Sequence, residues 1–226
     1  MRKLLLIAAL GCLSYTASAQ GGEKQSRIML NIGAASPSGD FGGKNIEGEK
    51  DGFAKTGALI SAGYAMDLNK NFAFGATLGW RNNPTDIDAI VAELGGEEAG
   101  MTKAEATSWR TTYLTADAYA QLPLEKLNLY AKGSVGYGFS NSSGLDLEGE
   151  SEWGSYEITQ SEAKSNAPVF GLGVGLRYDF GKFGLGAEVG MFSTTPEFEY
   201  EYDGEKETLK QPMTTVNTTL QLSYRL

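Results

Sequence analysis

Eight stretches of this chain alternate apolar residues with small or polar ones, and alternation with a period of two marks strands whose two faces meet different surroundings. The first sets Ile28, Leu30, Ile32 and Ala34 against Met29, Asn31 and Gly33. The others run from Ala58 to Met66, Phe72 to Trp80, Leu114 to Leu122, Leu129 to Phe139, Phe170 to Phe180, Phe183 to Met191 and Val216 to Leu226. No residue on these apolar faces is charged. The opposite faces hold Asp67, Arg81, Asp117, Lys132, Arg177, Glu188 and Arg225 among glycines and small polar groups.

That asymmetry decides how the strands close. A soluble lipocalin-like barrel turns its apolar face inward and covers the outside with Lys, Glu and Asp. A face of glycine and small polar residues suits the cramped interior of a narrow barrel instead, which leaves the apolar face against lipid. An Arg or Lys at the bilayer midplane there costs roughly 2–4 kcal/mol, reason enough for its absence. The connections alternate too: short turns at Leu68 to Asn71, Pro123 to Lys126 and Gly181-Lys182, and long acidic intervals after the first, third, fifth and seventh runs. Short turns on the periplasmic side and long loops outside characterise outer-membrane barrels. Phe72, Tyr178, Phe180, Phe183 and Tyr224 fall where an interfacial aromatic girdle lies. The fold expected is all-β, an eight-stranded antiparallel up-and-down transmembrane β-barrel.

Composition and charge narrow the function classes. Thirty glycines and no histidine stand in 226 residues, with a formal net charge of −9. Residues 1–19 read as a secretory signal peptide: Met1-Arg2-Lys3, an apolar run from Leu4 to Tyr15, and a small-x-small site at Ala17-Ser18-Ala19. The barrel domain is then 20–226. Removing Arg2 and Lys3 from 19 bases leaves 17 against 28 acids, a charge of −11, which makes nucleic acid a poor partner. Cys12, in a weak lipoprotein-like context, leaves with the signal, so the mature chain has neither thiol nor imidazole for catalysis. No catalytic residue, cofactor or metal site is assigned, and no spaced calcium-loop motif is present.

The chain resembles the outer-membrane β-barrel domain, or porin-like, family, similar in architecture to OmpX and the OmpA membrane domain. The resemblance runs from about Arg27 to Leu226, with local marks in Ser36-Pro37-Ser38-Gly39-Asp40-Phe41-Gly42 and the alternating C-terminal strand, which ends in leucine where an aromatic is usual. It implies outer-membrane lipid and lipopolysaccharide as surroundings, insertion by the barrel-assembly machinery, and a monomer at the cell surface.

Two regions carry candidate function. If Pro123 to Lys126 form a four-residue loop, Asp117 faces Lys132; if Phe180 faces Phe183, Glu188 faces Gly175 and lies diagonal to Arg177. Asp117, Lys132, Arg177 and Glu188 would then make one polar layer across the lumen, either a gate or a plug that satisfies itself. Outside, Asp86 to Leu94 puts Ile87, Ile90, Val91 and Leu94 on one helical face, although an irregular loop fits as well. Phe198, Tyr200 and Tyr202 alternate with glutamates before Asp203-Gly204, a hairpin signal, and Leu145 to Glu152 with Tyr156 to Ile158 permits another. Such sheets could hold an extracellular protein ligand by strand addition or through their aromatic face, or form a solvated rim. Three functions follow: a structural or surface-interaction barrel with a plugged lumen, a narrow porin-like channel or transporter, and a soluble lipocalin-like small-ligand binder.

Overall fold

Each alternating run becomes one strand of a closed antiparallel barrel in the computed structural model, which describes residues 25–46, 48, 50–95, 100–151, 154–202 and 205–226. The segment read as a signal peptide, and the Asp203-Gly204 turn, lie outside the described residues. The barrel strands are β1 (Ser26–Ser38), β2 (Gly57–Asp67), β3 (Phe72–Asn83), β5 (Trp109–Leu124), β6 (Leu127–Asn141), β9 (Lys164–Phe180), β10 (Phe183–Thr194) and β13 (Met213–Arg225). Each neighbours the next barrel strand in the chain, and β13 closes the circle on β1 through Ile32↔Leu220. Closure leaves no free edge in the wall, as a membrane-spanning sheet requires.

The apolar faces point outward. Leu172 and Leu220 keep 67% of their surface and Val174 keeps 63%, forming a belt that only an apolar solvent would tolerate at this extent. This sets aside the soluble lipocalin-like reading. The inward faces are glycine-rich because tyrosine rings need the room. A β-carbon at Gly79 would stand 2.1 Å from the Tyr113 ring, and one at Gly175 would stand 2.4 Å from that of Tyr130. Tyr119 and Tyr130 meet edge to face at 5.9 Å, packing with Met29, Ala65 and Ala73 toward the short-turn end.

One turn differs from expectation. β5 runs on through Pro123 to Leu124, so the connection to β6 has two residues, with Glu125 in the left-handed region at φ 55°. Pro123 is tolerated because β3 stops pairing at Phe72↔Ala120, so the missing N–H leaves no bond unmade on that side. Leu124 therefore faces Leu127, and the ladder moves by two residues.

At the long-loop end the chain builds two further sheets: β4 (Met101–Ala106), β7 (Leu145–Ser151) and β8 (Gly154–Gln160) in the order β4-β7-β8, and the hairpin β11 (Glu197–Tyr202) with β12 (Glu205–Lys210). Helix α1 (Ile87–Glu93) follows Asp86, whose carboxylate accepts from the Ala89 N–H at 3.4 Å. A 3₁₀ turn, Gly39–Gly42, follows β1 and carries Phe41.

Candidate functional site

The lumen is filled in tiers. Nearest the short turns, Arg27 pairs with Asp67 and donates to Gln121 at 3.1 Å, while Gln121 donates to Asp67 at 3.0 Å. Beside them Arg177 bonds Asp179 at 2.9 Å, and Arg225 reaches the same carboxylate at 3.3 Å. In the middle tier Lys132 pairs with Glu188, which also accepts from the Tyr130 hydroxyl at 3.0 Å. On β5, the strand beside that of Lys132, Asp117 accepts from Thr77 at 2.5 Å, Ser134 at 2.6 Å and Thr115 at 3.0 Å. Three hydroxyl donors satisfy a buried carboxylate without a cation.

These contacts correct the expected pairings. Asp117 faces Ser134 rather than Lys132, because the two-residue turn moves β6 along β5. Glu188 does face Gly175, yet Arg177 turns to Asp179, two residues along the same face of its own strand. Lys132 and Glu188 meet across β9, whose glycines at 171, 173 and 175 carry no side chain to separate them. The site also includes Arg27, Asp67, Gln121 and Asp179, which cross-strand reasoning within two hairpins did not reach. The signal for Asp179 was available: it shares the inward parity of Arg177. From the middle tier toward the long-loop end lies an internal cavity of about 50 Å³ whose lining includes Asn31, Lys132, Glu188, Tyr113 and Phe192, room for only a few waters.

The long-loop mouth is apolar. Phe41, Ala54, Trp109, Ala163, Phe198 and Met213 form one buried cluster. Phe41 meets Trp109 edge to face at 5.8 Å, and Trp109 meets Phe198 at 5.9 Å. The Trp109 indole N–H donates to the Gly52 carbonyl at 2.9 Å, tying the first long loop across the opening. Directly beneath, Arg81 is 1% exposed, lies between the rings of Phe41 and Phe192 at 5.5 and 5.1 Å, and donates to Thr215 at 2.8 Å. Stacking against two ring faces stabilises a cation that has no carboxylate partner among the described residues.

The proposed aromatic surface on β11 is therefore corrected. Phe198 is fully buried in this cluster and Tyr200 packs against it; the strand's alternation turns them inward over the barrel mouth, away from a partner. The Tyr202 side chain lies outside the described residues. What the loops do present is charge. Lys103 holds Asp146 and Glu148 at 2.7 Å each, and these carboxylates raise its ammonium above the usual lysine range. Asp86 is held below the usual carboxylate range, first by its bond from Lys44 at 2.5 Å and then by Lys55 at 3.1 Å. Among the described residues no three potential ligands converge in a metal-holding group.

The model of the outer membrane protein beta-barrel domain matches residues 5–161. No curated protein matches the chain. Among solved structures, a major outer membrane protein from Thermus thermophilus is 17% identical, with 89% of this chain and 99% of that one covered at a TM-score of 0.51. Neisserial surface protein A is 11% identical, with coverage of 89% and 97% and a TM-score of 0.49. The attachment invasion locus protein of Yersinia pestis is 14% identical, with coverage of 91% and 100% and a TM-score of 0.45. At such identities the likeness concerns the fold alone.

Proposed function

The chain belongs to the outer membrane protein β-barrel domain family, and from that premise we propose that it is an exported surface-interaction barrel whose lumen is closed. Residues 1–19 direct export, the mature chain starts at Gln20, the short turns face the periplasm and the acidic loops face outward, toward an extracellular protein ligand. The observation that carries the closed lumen is the Phe41–Trp109–Phe198 cluster over Arg81. An eight-stranded wall encloses little more than its own side chains, and here the long-loop end is covered as well. An enzymatic role is not part of the proposal, since the chain has no histidine and its single cysteine lies in the export segment.

Reconstitution of the mature barrel into planar bilayers tests this reading. The expected trace is flat at moderate voltage. Sustained, resolvable single-channel currents would overturn the closed lumen and put the narrow channel in its place. Fractionation with N-terminal sequencing tests export separately: the expected product is an outer-membrane chain beginning at Gln20, and recovery in the soluble periplasm rejects it.

A further inference from the structure

We propose that the outer edge of β8 is a docking lane for an extended segment of another protein that alternates basic and aliphatic residues. The inference rests on the reading of the long loops as an interaction surface and names the chemistry of the partner. Its starting point is the order β4-β7-β8, which leaves β8 with a neighbour on one side only among the described residues. Proteins usually blunt such edges with lysine, proline or a bulge. The opposite edge, β4, has a register shift between Met101 and Lys103, and β12 carries Lys206 and Lys210. Strand β8, Gly154-Ser155-Tyr156-Glu157-Ile158-Thr159-Gln160, has none of these devices.

The charges on one face of this sheet say what would pair there. Directly opposed residues share a face, so Lys103, Glu148 and Glu157 form one row across the three strands. With Glu105, Asp146 and Glu150 on the same face, one lysine stands among five carboxylates. Lys103 occupies itself with Asp146 and Glu148, leaving Glu157 without an ion pair among the described residues. Glu148 and Glu157 oppose each other as like charges, an unfavourable cross-strand pair. A Lys or Arg in the next lane would face Glu157 and complete the row. On the other face Leu147 lies opposite Ile158, which is 51% exposed, and an aliphatic side chain in the added strand would cover it. A second copy of this chain does not fit: its own β8 carries no base and would bring another carboxylate, Glu157.

The test uses the full mature barrel refolded in zwitterionic detergent and a fluorescent seven-residue peptide alternating Lys and Val, followed by anisotropy at low salt against empty micelles. Binding is expected, with affinity falling roughly tenfold for Glu157→Lys and by at least as much when alternate peptide amides are N-methylated so that they cannot join a ladder. Glu105→Gln, on the far strand, should change affinity by less than about threefold. Heat-modifiable gel migration confirms that each variant keeps its barrel. Absence of binding overturns the proposal, as does equal binding of the N-methylated peptide or of the Glu157 variant. The titration is independent of bilayer conductance: currents in the barrel refute the closed lumen, whereas failure of the titration refutes the β8 lane.

Discussion

Asp117 and Ser134 face each other directly across the β5–β6 ladder, and the serine hydroxyl donates to the carboxylate at 2.6 Å. This contact defines the charge pairing of the whole middle tier, because it leaves Lys132 to Glu188.

A double-mutant cycle separates the two arrangements. Lys132→Met and Glu188→Gln should be coupled by about 1 kcal/mol or more, since either change alone strands a largely buried charge. Lys132→Met and Asp117→Asn should combine additively to within about 0.5 kcal/mol. Denaturant unfolding in lipid vesicles measures both, and the reverse ranking would refute the register.

Phe41→Ala should weaken the barrel by about 3–5 kcal/mol, the usual cost of deleting a buried aromatic ring. It also uncovers Arg81, so current through reconstituted barrels should rise where Lys132→Met leaves it nearly unchanged. Equal conductance of the Phe41 variant and wild type would mean that the first long loop does not seal the mouth.

The outer wall gives a third expectation. Val174→Arg, on the outward face of β9, should block insertion or cost roughly 2–4 kcal/mol. Thr77→Ser, which keeps the hydroxyl that bonds Asp117, should fold normally, and Thr77→Val should not match it. Tolerance of arginine at position 174 would reverse the assignment of the faces.

Asp86 sets a pH dependence in the loops. Its folded pKa lies below the ordinary value of about 3.9, depressed by Lys44 and Lys55. The stabilisation it lends to the start of α1 is therefore complete above that ordinary value. It declines as pH falls, and is lost once pH passes below the depressed pKa. Hydrogen exchange at the Ala89 amide should report the change, and Asp86→Asn should flatten its pH profile over that range. An unchanged profile would show that the cap carries no such linkage.

Much of the architecture is local enough to read along the chain. Strand number, the identity of each face and the alternation of short and long connections follow from period-two patterning, because side chains on a pleated strand point alternately to two different solvents. The hairpins β7–β8 and β11–β12 and the short helix after Asp86 were legible for similar reasons. Strand β4 was not: Met101-Thr102-Lys103-Ala104-Glu105-Ala106 has no strong alternation of its own, and β7 pairs with it from some forty residues away.

The sequence by itself determined that this chain makes a barrel with an apolar exterior, since that depends only on which residues share a face. The tertiary structure decided which charges meet and what covers the mouth. Glu125 at positive φ shortened one turn and moved Asp117 from Lys132 to Ser134. Closure of the circle set Arg27 beside Asp67 and Gln121, residues up to 94 positions apart. Phe198 carries the alternation of an exposed hairpin yet is buried, because Phe41 and Trp109 arrive at the same place from other loops. A face is a property of one strand, whereas a register, a pair or a cap depends on where several strands end.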